Sequence, residues 1–154
     1  MFDRATFFLA DVPPPSFYEA PDGTGKVEGR LRLRVLVVDD ERLIAQTVAA
    51  ILNQNGFEAQ AAFSGDEALE TARKVRPDIV LSDVLMPRMS GVELGMQVRN
   101  ELPETRVILF SGQAATTELM RKAHDAGYSF ELVPKPIHPD DLVSRLNEGK
   151  KRQG

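Results

Sequence analysis

Short apolar runs alternate with longer amphipathic stretches from residue 31 to about residue 150. Four runs are mostly apolar: RVLVV at 34–38, DIVLS at 78–82, RVILF at 106–110 and FELV at 130–133. Such runs are typical of parallel strands, which are buried on both faces. A fifth run, FEAQAAF at 57–63, carries Glu58 and Gln60 and is predicted to form an edge strand.

The stretches between these runs predict five helices. The first has an apolar stripe and a stop at Asn55-Gly56; the stripe consists of Ile44, Val48, Ile51 and Leu52. The next two open with capping-box spacing, at Ser64 with Glu67 and at Ser90 with Glu93. The fourth contains Leu119, Met120, Ala123 and Ala126 and ends at Gly127. The fifth opens at His138-Pro139.

Five β-α units in succession indicate an α/β fold with a doubly wound parallel sheet and right-handed crossovers. The flavodoxin-like strand order 2-1-3-4-5 is expected, with five strands and five helices. In this order the ends of the first and third strands are neighbours. A ligand crevice is expected beyond them.

Acidic residues follow both of those strands. Asp39 and Asp40 come after the first strand and Asp83 after the third. Three carboxylates at one sheet edge repel one another, and a hard divalent cation with oxygen ligands, Mg²⁺ above all, would relieve that repulsion. Ser111 and Lys135, after the fourth and fifth strands, add a hydroxyl and an ammonium group to the same edge.

Each of these residues has an ordinary structural interpretation when taken alone. An Asp pair is often a helix cap or a solvated turn, and a lysine is usually a surface charge. Ser111 and Asp83 could equally belong to turns. Their placement after separate strands, all at one edge, favours a functional site.

Composition excludes several classes of protein. The chain has 154 residues, a net charge of −4 and no cysteine, so disulfides and thiolate metal sites are excluded. There is no basic surplus for nucleic-acid binding, and no apolar run approaches the roughly 20 residues needed to cross a bilayer. A cytoplasmic protein is expected. Residues 1–30, rich in proline and glycine, are predicted to form a flexible arm, with a folded domain at 31–150 and a tail at 151–154.

The motifs together resemble those of response-regulator receiver domains over about residues 33–150. The matching segments are VVDDE, DIVLSDVLMPRMSG, ILFSG and VPKP. The resemblance implies that Asp83 accepts a phosphoryl group from a histidine kinase or a histidine phosphotransfer protein. It also implies that Mg²⁺ is held by Asp39, Asp40, Asp83 and the backbone carbonyl of Leu85, and that Ser111 and Lys135 contact the phosphoryl oxygens.

By the same resemblance the chain is a self-phosphorylating acceptor with slow dephosphorylation, not a conventional enzyme. Its output is a changed protein-binding surface at the fourth helix and fifth strand. Receivers commonly carry Tyr or Phe three residues before the lysine, where this chain has Leu132. Leu132 is therefore expected to be a passive core side chain, and the response is expected to pass through the loop 111–115. Tyr128 and Phe130 could substitute for that aromatic residue, although both are expected in the core or at its edge. His124 is expected on a helix surface and His138 as a helix cap.

Other classes fit the sequence less well. A Mg²⁺-dependent phosphatase of the haloacid-dehalogenase type requires Asp-x-Asp, but Leu85 occupies the second position. A flavodoxin-like cofactor binder requires a Ser/Thr/Gly-rich loop where this chain has DDERL, and a pseudo-receiver would lack an acidic or lysine position. Few residues follow the fifth helix, so a stand-alone receiver is expected. The alternative is a fragment of a hybrid kinase or of a longer regulator.

Overall fold

A computed structural model describes residues 32–112 and 116–153. The predicted arm at 1–30 and most of the loop 111–115 lie outside these ranges. The strands are β1 (Arg34–Val38), β2 (Glu58–Ala62), β3 (Ile79–Asp83), β4 (Arg106–Ser111) and β5 (Glu131–Pro134). The helices are α1 (Arg42–Gln54), α2 (Gly65–Val75), α3 (Gly91–Glu101), α4 (Thr116–Asp125) and α5 (Pro139–Gln153).

The five strands form one parallel sheet in the order β2-β1-β3-β4-β5. The predicted flavodoxin-like order is therefore confirmed, and so is the position of the more polar strand, β2, at an edge. Each strand lies within one residue of its predicted bounds. Helices connect successive strands, as parallel pairing requires.

Helices cover both faces of the sheet because the strand residues alternate between two cores. Val35 and Val37 of β1 belong to the cluster formed with α1 and α5. Leu36 and Val38 belong to the cluster formed with α2, α3 and α4. Burial on both faces explains the continuous apolar runs of the central strands.

Helix α1 differs from its predicted orientation. Its buried residues include Ala45, Ala49 and Leu52, whereas Ile44 is 39% exposed. The predicted stripe begins at Ile44 and the observed stripe begins at Ala45. The two have the same helical spacing but are shifted by one residue. The small alanines allow the helix backbone to lie close to the sheet, so the prediction from the larger side chains was wrong at Ile44.

The predicted helix ends are largely confirmed. Ser90 and Glu93 form a complete capping box at α3. Ser64 caps α2, but the Glu67 carboxylate accepts from the backbone N–H of Phe63, so that box is incomplete. His138 caps α5 through Nδ1, which accepts from the Asp140 N–H at 3.1 Å. None of the helices in the described ranges combines the length and apolar character needed to cross a membrane.

Candidate functional site

The polar residues predicted for the site lie at the ends of neighbouring strands or directly after them, at one edge of the sheet. Val38 is in register with Ser82, so Asp39 and Asp83 come next to each other at the ends of β1 and β3. Ser111 ends β4 in register with Pro134, the residue before Lys135. The Lys135 N–H also donates to the Ser111 carbonyl at 3.0 Å. The sheet topology thus brings together residues that are far apart in the chain.

Asp39, Asp40 and Asp83 form an acidic cluster. One carboxylate oxygen from each lies within 4.8 Å of the others, with Asp39 buried, Asp83 half-buried and Asp40 exposed. A set of convergent carboxylate oxygens with one open side suits a hard cation that retains some water, such as Mg²⁺. The residues present therefore fit the metal that the sequence predicts.

The Lys135 ammonium lies over this cluster. Its Nζ is 3.2 Å from Asp83 Oδ1 and 3.7 Å from Asp39 Oδ2. The Phe110 ring centroid is 5.7 Å from the same atom, within the range of a cation–π contact. A Cβ added to Gly112 would lie 3.4 Å from the Lys135 Cβ, so the lysine stem packs along this glycine. The ammonium is thereby directed at the two carboxylates instead of at solvent.

Burial perturbs the ionisation of Asp39. Desolvation raises the pKa of its carboxyl, and the nearby charges of Asp83 and Asp40 act in the same direction. Two groups lower the pKa of Asp39 without cancelling this rise. They are the Glu41 N–H, which donates to Asp39 Oδ1 at 3.0 Å, and the Lys135 ammonium. An electrostatically costly carboxylate is a common feature of sites that bind cations or perform chemistry.

The segment after Asp83 turns back on itself before α3 begins. The Val84 N–H donates to the Phe110 carbonyl at 3.2 Å, and the Gly91 N–H donates to the Val84 carbonyl at 2.8 Å. A Cβ on Gly91 would overlap the carbonyl oxygen of Asp83, so only glycine allows α3 to approach this closely. The loop holds Leu85, whose side chain is 43% exposed beside the cluster.

Sequence reasoning missed two neighbours of the acidic cluster. Ser82 is fully buried and its hydroxyl donates to the Asp83 carbonyl at 2.9 Å. Phe110 supplies the ring below Lys135. A lone hydroxyl inside the apolar run DIVLS was the available signal for Ser82, whereas nothing in the sequence distinguishes Phe110 from other core residues.

The prediction that Leu132 is a core side chain is wrong. It is 40% exposed, although its register partner Leu109 is buried. The two side chains share a face of the sheet, but Leu132 lies on the edge strand, beyond the cover that shields Leu109. By contrast, Phe130 is buried and Tyr128 half-buried, and their rings stack with centroids 6.1 Å apart.

The two histidines are placed as predicted. His124 is exposed on α4, and His138 is the cap of α5 described above. Neither histidine is part of the acidic cluster.

Comparison with known proteins identifies the family. The model of the response regulator receiver domain matches residues 35–147. The chain belongs to this receiver-domain family. Among curated relatives of the receiver, response regulator MprA of Mycobacterium ulcerans is 32% identical over 116 residues, which are 75% of this chain and 49% of the relative. The receiver thus spans about half the length of the curated relatives that it matches.

Solved receiver structures agree with this assignment. Chemotaxis protein CheY4 of Vibrio cholerae is 31% identical with a TM-score of 0.67, and the match covers 76% of this chain and 98% of that one. The receiver domain of NtrX from Brucella abortus is 31% identical with a TM-score of 0.65, and the match covers 74% and 95% of the two chains. The fold and the family are therefore the same as those predicted.

Proposed function

We propose that Asp83 of this receiver accepts a phosphoryl group from a phosphohistidine, with Mg²⁺ held by Asp39, Asp40, Asp83 and the backbone carbonyl of Leu85. The observation that carries the proposal is the position of the Lys135 Nζ, 3.2 Å from Asp83 Oδ1, above carboxylate oxygens within 4.8 Å of one another. A carboxylate, a cation site and an ammonium group at one point are the parts that phosphoryl transfer requires.

In the proposed reaction an Asp83 carboxylate oxygen forms a bond to phosphorus as the phosphorus–nitrogen bond of the donor histidine breaks. The electron pair of that bond stays on the imidazole, and the product on Asp83 is an acyl phosphate. Lys135 neutralises part of the negative charge that otherwise keeps the carboxylate and the phosphoryl group apart. When bound, Mg²⁺ supplies further charge neutralisation at the phosphoryl oxygens.

Two side chains would recognise the modified state. Lys135 can leave its contact with Asp39, at 3.7 Å, and bind a phosphoryl oxygen with a charge-assisted hydrogen bond. The Ser111 hydroxyl, at the end of the adjacent strand, would donate to another. Movement of Ser111 would then alter the loop that leads into α4, and with it the surface formed by α4 and β5.

The receiver modifies itself and does not turn over a separate substrate, so it is proposed to act as a switch. Slow hydrolysis of the acyl phosphate would return it to the starting state. Both states would signal by contact with proteins in the cytoplasm. Nucleic acid and membranes are not proposed as partners, because the chain has a net negative charge of −4.

The donor is proposed to be a histidine kinase or a histidine phosphotransfer protein. Such a partner must bring its imidazole to Asp83 and must therefore cover the same end of the sheet. Large apolar side chains are exposed there, namely Leu43 (57%), Ile44 (39%) and Leu85 (43%). The first two lie on the first turn of α1, which begins two residues after the acidic pair. Apolar side chains of this kind suit the core of a protein interface.

The proposal is tested by replacing the acceptor. Asp83→Asn should abolish labelling by acetyl phosphate in the presence of Mg²⁺, because a neutral amide cannot attack phosphorus. Mass spectrometry of the intact protein measures the gain of one phosphoryl group. Asp78→Asn is the matched control, since Asp78 precedes the same strand at the opposite end of the sheet. Equal labelling of the Asp83→Asn variant and the wild-type protein would contradict the proposal.

A further inference from the structure

Ser82 stands out among the polar residues because it is completely buried in the central strand, one residue before the proposed phosphoacceptor. Its neighbours two residues away are Val80 of β3 and Val84, which follows β3, and both belong to the apolar cluster formed with α2, α3 and α4. A hydroxyl in such surroundings lowers stability unless it makes a hydrogen bond. Ser82 makes one, to the carbonyl of Asp83 at 2.9 Å.

That carbonyl is held from two sides. The Ser82 hydroxyl donates to the oxygen, and the first residue of α3, Gly91, packs directly against it. A Cβ added to Gly91 would overlap the carbonyl oxygen and would lie 3.0 Å from Ser82 Oγ. The peptide between Asp83 and Val84 therefore has little freedom to rotate.

The next residue is restrained as well. Val84 donates to Phe110 of β4 and accepts from Gly91 of α3. The side chain of Asp83 extends from the Cα next to this peptide, so a restrained peptide holds the point and direction from which the carboxylate extends. We infer that Ser82 is a positioning residue that aims the Asp83 carboxylate at Lys135 and at the incoming phosphorus, an inference that rests on the function proposed above.

A purely structural role would differ in its consequences. If Ser82 only satisfied its own hydroxyl, its loss would lower stability and leave the reaction unchanged. If it orients Asp83, its loss should slow the reaction of molecules that are still folded. Misplacement of a reacting group by about 1 Å costs on the order of a hundredfold in rate, so a shift of a few tenths of an ångström should cost roughly three- to tenfold.

The test uses Ser82→Ala in the full chain, with the rate of labelling by acetyl phosphate measured over a range of donor concentrations at saturating Mg²⁺. The maximal rate should fall roughly three- to tenfold, while the donor concentration at half-maximal rate changes little, because the lost interaction acts on the geometry of attack and not on donor binding. Ser82→Thr, which keeps the hydroxyl, should restore the rate. Ser82→Cys replaces the hydroxyl with a slightly larger group that is a weaker donor, and its rate should be intermediate.

Thr105 provides a matched control. It is also a buried hydroxyl that donates to a backbone carbonyl, that of Pro77 at 2.8 Å, but at the opposite end of the sheet. Thr105→Val should lower the urea midpoint of unfolding and leave the labelling rate unchanged.

Three outcomes decide the matter against the inference. The first is a Ser82→Ala variant that is labelled at the wild-type rate. The second is an equal loss of labelling rate in Thr105→Val. The third is a folded Ser82→Thr variant that does not recover the wild-type labelling rate. If the wild-type protein is not labelled at all, the proposed function is wrong, and this inference is wrong with it.

Discussion

At the scale of single residues, the burial of Asp39 adds a pH-dependent contribution to stability when no divalent cation is present. The pKa of its carboxyl is raised in the folded protein, mainly by desolvation. The folded state therefore binds this proton more tightly than the unfolded state does. The contribution of Asp39 to stability is largest below the unfolded pKa and is lost as pH rises through the folded pKa.

Asp39→Asn should remove that dependence. Without Mg²⁺, the variant should be more stable than the wild-type protein at neutral pH. The difference in the free energy of unfolding should shrink as pH is lowered. Urea unfolding in chelator-treated buffer over a series of pH values measures it. Asp125→Asn removes an exposed carboxylate on α4 and is the control; its effect on the free energy of unfolding should be much smaller. An Asp39→Asn variant less stable than the wild-type protein at neutral pH would contradict a destabilising effect of burying this carboxylate.

Mg²⁺ should reverse the electrostatic cost of the acidic cluster. A ligand that binds only the folded state raises the free energy of unfolding, by about 1.4 kcal/mol at a free concentration about ten times the dissociation constant. Asp40→Asn removes one of the three carboxylates and should reduce the Mg²⁺-dependent rise in melting temperature. Thermal melts with and without Mg²⁺ provide the measurement, and Asp125→Asn again serves as control. Melts insensitive to millimolar Mg²⁺ would argue against a metal site.

The sequence predicted the convergence of Asp39, Asp83 and Lys135 because each lies at the end of a strand or directly after it, and the carboxyl ends of parallel strands lie at one edge. It could not predict the exposure of Leu132. Alternation along β5 indicates the face on which a side chain lies, but only tertiary packing decides whether a helix covers it. The partner of the Ser82 hydroxyl was unpredictable for a related reason, since a buried serine can donate to any nearby carbonyl.

At the scale of secondary-structure elements, Arg106 joins three of them. Located on β4, it donates to both carboxylate oxygens of Glu131 on β5, at 3.0 and 2.8 Å. It also donates to the carbonyls of Arg145 and Leu146 in α5, at 3.1 and 3.0 Å. The Arg106 side chain is only 20% exposed, so these bonds are partly shielded from water. They attach the edge strand and the last helix to the sheet.

Arg106→Met should therefore lower the free energy of unfolding by about 2 kcal/mol, because it leaves a partly buried carboxylate without its main partner. Arg73→Met is the control, since Arg73 makes a similar two-bond pair with Glu101 between α2 and α3 but is half-exposed. Pairs in water contribute little, so this change should cost much less. Similar losses in the two variants, measured by urea unfolding, would show that shielding does not distinguish the pairs.

Helix positions were predicted more reliably than helix orientations. Caps such as Ser90 with Glu93 depend on local spacing and can be read from the sequence. The face of α1 was predicted from the largest side chains, whereas the sheet is contacted through Ala45 and Ala49. Whether a helix packs closely through small side chains or less closely through large ones depends on the neighbouring strands. The sequence of the helix alone does not contain that information.

At the scale of the whole molecule, the described fold begins at residue 32 and the family match at residue 35. The composition of residues 1–30 provides too few apolar side chains in a regular pattern to form a core. Deleting them should leave the melting temperature and the rate of labelling by acetyl phosphate nearly unchanged. The full chain is the control, and a large fall in melting temperature on truncation would show that the segment packs against the domain.

The central position of β3 has a consequence for the motions of the protein. Each amide hydrogen of an inner strand is bonded to a neighbouring strand and shielded from solvent by the strands on both sides, so its exchange usually requires global unfolding. Val80 and Leu81 are fully inaccessible, with β1 on one side and β4 on the other. Their amides should be among the slowest to exchange, and those of β2 and β5 at the sheet margins among the faster. Asp83 is thus attached to the strand least able to fluctuate, so its reactivity should persist through local openings elsewhere.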